Sequence, residues 1–191
     1  MSSFLTPVPP LPPEDLNLEQ IFHDLFQGLT GIDTNLIFPE WQPFPPDFQE
    51  QNTNWIAFGT SRIRNDARPL IKHFDDGTNV GDNVHRHQLI HVHVMCYGPA
   101  GMQTAETIQR GLFIQANSDW LKQYNMGLVR VTDIIAAPEK KNQQWFRRYD
   151  FTLQVNRHVV EQFATPSLTN FPIGIFVDEP PIHIPLDIES P

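Results

Sequence analysis

At 191 residues, 40% apolar and a formal charge of −9, the chain has material for one ordinary core with extensions, and a second full-sized domain would be cramped. The acidic balance argues against general affinity for phosphate backbones, which Lys and Arg supply by displacing counterions, while an acidic lining would let DNA slide past without sticking. One cysteine, Cys96, permits no intrachain disulfide, and no basic-then-apolar leader or run of transmembrane length is present, so a soluble protein made in the cytoplasm is expected.

Eighteen prolines, gathered at both ends and between Pro39 and Pro46, break helices and point to extended arms. Residues 1–13 hold Phe4, Leu5 and Leu11 among prolines. They form either a disordered tail or an arm in polyproline or edge-strand geometry that docks on a neighbouring subunit. From Glu14 the pattern turns helical: Glu14, Asp15 and Glu19 put negative charge at the N-terminal end, Leu18, Ile21, Phe22, Leu25, Phe26 and Leu29 recur on one stripe, and Gly28 and Gly31 mark the end. Residues 32–51 are irregular, with Phe38, Trp41, Phe44 and Phe48 pinning a proline-set path to the core or to another chain.

Trp55 to Ile63 predicts a strand and Ile71 to Phe74 a short one, with Asp75 to Asn83 a flexible loop. Val84 to Tyr97 is a long strand: Ile90, Val92, Val94 and Cys96 share one face, and His85, His87, His91 and His93 the other, with Leu89, Met95 and Tyr97. His-x-His on a strand places two imidazoles about 6–7 Å apart, a spacing suited to joint metal ligation. No third ligand with diagnostic spacing accompanies them, so a solvated strand face or a polar intersubunit surface is the plainer expectation, and no metal or other cofactor is assigned.

Tyr97-Gly98-Pro99 ends that strand. A helix carrying Ala105, Ile108, Leu112 and Ala116 on one stripe follows, and Asp119 to Tyr124 adds a further turn with Trp120 and Leu121 inward. Leu128 to Ala137 and Pro138 to Asn156 then predict an antiparallel hairpin. Its second strand is expected at the centre of the sheet, with Trp145, Tyr149, Phe151, Leu153 and Val155 on the buried face. His158 to Phe163 reads as short helical or irregular structure, and Phe171 to Val177 as a short apolar strand. The tail alternates Ile182, Ile184, Leu186 and Ile188 with polar residues and proline, a pattern fit for adding to an exposed sheet edge. The expected class is α+β: an antiparallel sheet with two main helices packed on it in a single domain over 14–163, between a Pro-rich arm at 1–13 and an extended arm at 164–191.

The ordered set of Trp41-Gln42-Pro43, the strand ending in Tyr97-Gly98-Pro99, the helix with Ala105, and the hairpin with Pro138-Glu139 and Trp145-x-x-Arg148-Tyr149-Asp150-Phe151 resembles the neck or tail-terminator family of tailed bacteriophages over roughly 41–160. The resemblance implies a non-enzymatic virion protein with no catalytic residues. It would assemble as a ring, typically a homohexamer, at the head–tail junction, capping the tail tube protein, meeting the head-side connector or adaptor and leaving a channel for DNA, without membrane contact. Another ring component, such as a collar, tail-completion or baseplate protein, shares this logic. A metal-dependent enzyme built on the four histidines lacks a nearby general base.

Candidate subunit contacts are Phe4, Leu5, Trp41, Phe44, Arg147, Arg148, Ile182 and Ile184. Arg148 stands two residues from Asp150 on one strand face, as a surface pair or as a pair holding the fold or an interface. Asp75, Asp76 and Asp82 are candidates for the channel lining.

Overall fold

The computed structural model describes residues 5–40, 49–141 and 143–165. Pro7–Val8 form a two-residue strand, β1. Helix α1, Leu16–Thr30, buries Leu18, Ile21, Phe22, Leu25 and Phe26, the stripe that helical spacing dictates. Gly31 closes it in the left-handed conformation, φ 69°, and donates its N–H to the Gln27 carbonyl at 2.8 Å. A 3-10 turn at Thr34–Leu36 leads to β2, Ile37–Pro39, and β3 follows at Trp55–Asn65.

Strand β4, Leu70–Asp75, turns tightly into β5, Val80–Tyr97, so only residues 76–79 form the turn and Val80 to Asn83, expected as loop, are strand. The predicted second helix is two: α2, Gly101–Leu112, and α3, Gln115–Lys122, divided at exposed Phe113 and Ile114, which places Ala116 on α3. The run from Leu128 to Ala137 is also divided, into β6, Met126–Val131, and β7, Ile135–Ala136. A small hairpin of β8, Glu139–Lys141, and β9, Gln144–Phe146, stands apart as its own sheet, and Trp145, expected on the buried face, is 60% exposed in it. Strand β10, Arg148–Ala164, takes in His158 to Phe163, which are therefore extended and not helical.

The main sheet runs β1-β10-β5-β3-β2, with β4 also on β5 and with β6 and β7 also on β10. Every pairing is antiparallel except β2 with β3. Its axis is the β5–β10 ribbon, continuous from Tyr97↔Arg148 to Gly81↔Ala164. One half of the ribbon is covered on one face by α1 and α2. There Ile90, Val92, Val94, Cys96, Phe151, Leu153 and Val155 meet Phe22, Phe26, Ile108 and Leu112, all essentially removed from water. Each such side chain contributes about 1.5–3 kcal/mol by burial, so the helix–sheet layer is the main source of stability.

On the opposite face a smaller cluster of Trp55, Ala57, Met95 and Tyr97 is flanked by Leu36 and Phe38, with the Trp55 and Tyr97 rings stacked at 3.8 Å. Beyond Gln88 and Arg157 the ribbon continues outward, flanked by β4 on one side and β1 on the other.

Candidate functional site

Residues paired across antiparallel strands share a face. Register therefore gathers Tyr97, Met95, His93, His91, His87 and His85 of β5 with Arg148, Asp150, Thr152, Gln154, His158 and Val160 of β10 on the face opposite α1 and α2. This polar face carries most of the side chains singled out from the sequence.

At its inner end lies a charged clamp. Arg148 donates from Nε to Asp150 Oδ1 at 2.8 Å and from Nη2 to Asp150 Oδ2 at 2.6 Å, and from Nη1 to Glu139 Oε2 at 3.2 Å. Tyr97 donates its hydroxyl to the same Glu139 oxygen at 3.0 Å. His93 continues the chain, with Nε2 3.5 Å from Asp150 Oδ2 and Nδ1 3.4 Å from Glu40 Oε1. Glu40 reaches His93 across Gly59, where a Cβ would collide with its carboxylate.

Burial alone would raise the Asp150 carboxyl, but hydrogen bonds from His93 and Arg148 outweigh it and hold the group below its usual range. The bond to Asp150 raises His93 against the opposing effect of burial. Arg148 is raised likewise, and burial pushes the Tyr97 hydroxyl up. A carboxylate so occupied is a weak base. The cluster works as a clamp that fixes the β8–β9 hairpin and the segment after β2 to the sheet.

Farther out, His85 Nδ1 lies 3.1 Å from His158 Nε2, and the His158 ring stacks on His87 and His85 with centroids 4.6 and 5.3 Å apart. Burial lowers His158, followed by repulsion from His87, His85 and Lys72. The four histidines thus divide: His85 and His87 join His158, His93 joins the acidic clamp, and His91 lies between them opposite Gln154 and Arg62. Among the described residues no group of three or more His, Cys, Asp or Glu side chains is arranged to hold a metal ion.

The three candidate lining aspartates cluster at the outer tip. Asp75 accepts from the Gly77 N–H, and Asp76 from the N–H groups of Thr78 and Asn79, which keep its carboxyl below the ordinary range. Asp82 faces His73 at 3.1 Å. Of the contact candidates, Leu5 and Arg147 are exposed while Arg148 is occupied within its own chain. Phe4, Trp41, Phe44, Ile182 and Ile184, together with the expected strand at 171–177, lie outside the described residues.

One group escaped sequence reasoning. Arg157, 2% exposed on the helix-covered side of β10, donates to Gln88 Oε1 from Nε at 2.9 Å and from Nη2 at 2.5 Å, to the Pro13 carbonyl at 2.6 Å and to Glu14 Oε1 at 2.6 Å. Gln88 in turn donates to Asn65 Oδ1 at 2.8 Å. The start of α1 is thereby tied to β3, β5 and β10. A charge interrupting the run Phe151, Leu153, Val155 was the available signal.

Comparison with known proteins adds three findings. A family model described as phage neck terminator protein matches residues 16–184. Among solved structures, a chain of "Virion of native gene transfer agent (GTA) particle" is similar at 15% identity over 78% of this chain and 92% of that one, with a TM-score of 0.24, too low to argue from shape. No curated protein matches the chain.

Proposed function

The chain belongs to the phage neck terminator protein family, structural proteins of the virion's head–tail junction, and from that premise we propose that its subunits close into a ring, a homohexamer, that caps the tail tube. The ring stops tube growth, meets the head-side connector and leaves an axial channel through which DNA passes. The family match over 16–184 carries this reading. The outer part of the polar sheet face, beyond the Trp55–Tyr97 cluster and the clamp, has no helix on it among the described residues and supports it, because a ring subunit must keep a surface for its neighbours.

In this assembly the residues before β1 and those after β10 reach neighbouring molecules, with Phe4, Leu5, Trp41, Phe44, Arg147, Ile182 and Ile184 as contacts, while Pro7–Val8 and Pro13 of the expected N-terminal arm stay on β10 of their own chain. Arg148 supports them from within its own clamp. The aspartates at the ribbon tip, Asp75, Asp76 and Asp82, face the channel, where carboxylates repel DNA and keep it from sticking. Replacing them with lysine slows ejection; unchanged ejection kinetics would remove the tip from the channel.

The decisive experiment is electron microscopy of particles made without this gene product. Filled heads lacking tails, beside free tails of uneven length, are expected, and joined virions with normal tails would overturn the reading. Native mass spectrometry of the purified chain reports the subunit number directly.

A further inference from the structure

The edge of the main sheet from Ser61 to Lys72 is exposed along its whole length. Strand β2 covers β3 only at Ile56 to Phe58, and β4 pairs with β5 alone, so the outer backbone groups of this edge have no strand beside them among the described residues. Bare edges are usually blunted by charge, and this one carries Arg62, Arg64, Arg68 and Lys72. None of the four makes an ion pair among the described residues.

The register sorts the edge into two faces. Arg62, Arg64 and Lys72 lie opposite His91, Leu89 and Asn83, on the polar side of the sheet. Ile63 and Ile71 lie opposite Ile90 and Val84, on the other side, and are 40% and 60% exposed. Leu70, 57% exposed opposite His85, is the apolar exception on the first face and Asn65, opposite Gln88, the polar exception on the second, so the edge is mainly cationic on one face and mainly apolar on the other.

The complementary pattern stands in the same chain. The last Lys or Arg is Arg157, so residues 166–191 carry Asp178, Glu179, Asp187 and Glu189 with no Lys or Arg to balance them. As an extended strand, this segment would show Ile182, Ile184, Leu186 and Ile188 on one face, and His183, Pro185, Asp187 and Glu189 on the other. Laid along the edge, its acids would meet the arginines and its isoleucines Ile63 and Ile71. Pro185 fits an outermost strand, where one missing N–H is tolerated.

We propose that the β3–β4 edge is the docking site for the acidic, isoleucine-rich segment 178–189 of a second copy of this chain, which adds to it as a strand. The proposal rests on the ring reading and names the contact that links one subunit to the next.

Mixing two full-length variants, Ile71→Cys and Ile184→Cys, under mild oxidation tests it. The native Cys96 is buried and does not compete. A disulfide-linked heterodimer is expected, with its yield falling about tenfold when the first variant also carries Arg62→Glu, Arg64→Glu and Lys72→Glu, and recovering when the second carries Asp187→Lys and Glu189→Lys. If native mass spectrometry shows an intact wild-type ring and no heterodimer forms, or its yield ignores the charges, the docking proposal fails while the ring stands. A wild-type chain that stays monomeric and gives no heterodimer overturns the docking proposal, and the ring reading is then decided by the particles made without this gene product.

Discussion

Arg157 ties together parts of the chain that are far apart in sequence. Four hydrogen bonds from one buried guanidinium join the end of the N-terminal segment to the centre of the sheet. Arg157→Ala leaves a cavity and strips partners from Gln88 and the Pro13 carbonyl, an expected loss of about 2–4 kcal/mol by urea unfolding. The histidines give a second test, because two of them shift in opposite directions. His93 binds its proton more tightly in the folded chain, so its stabilisation is full below about pH 6.5 and is lost as pH rises through its folded value. His158 binds its proton more weakly, so folding becomes less favourable as pH falls below about 6.5. Melting temperatures from about pH 5 to about pH 8 should therefore show a shallower loss toward high pH in His93→Gln, and a shallower loss toward low pH in His158→Gln.

Among the elements, the turn after β5 is tightly constrained. Gly98 has φ 100°, and a Cβ there would meet the Thr53 carbonyl and Asn54. It donates its N–H to the Arg147 carbonyl at 3.1 Å, while Asn54 Oδ1 accepts from the N–H of Ala100 at 2.8 Å and so sets the start of α2. Gly98→Ala should cost about 2 kcal/mol or more, read as a lower denaturant midpoint with unchanged slope.

The elements legible from sequence are those with one face in the core. Alternation at Ile90 to Cys96 and at Phe151 to Val155, and helical spacing from Leu18 to Phe26, all report burial on one side. The outer ribbon gave no such signal. Val80 to Asn83 and His158 to Phe163 are mostly only half buried, so polar residues occupy both faces and period-two patterning fades. The clamp was legible only as Arg148 beside Asp150, since Glu40, His93 and Glu139 come together through tertiary pairing. Arg157 stayed hidden because its partners lie 69 and about 143 positions away.

For the whole molecule, helix cover over only half of the ribbon predicts uneven opening. In hydrogen exchange on the dissociated subunit, amides from Ile90 to Cys96 should approach the protection of global unfolding, while those from Val84 to His87 exchange through smaller openings. Equal protection in both halves would show that the ribbon opens as one unit. The position of β10 has another consequence, for the order of events during synthesis. The central strand of the sheet is also the last of the described elements to leave the ribosome, and its end pairs Phe163 with Pro7, contacts that no shorter nascent chain can make. Until then β5 has neither its central partner nor a finished core behind it. The core is therefore closed only after β10 has emerged, and a chain cut before Arg148 lacks the strand that joins β5 to β1 and β6.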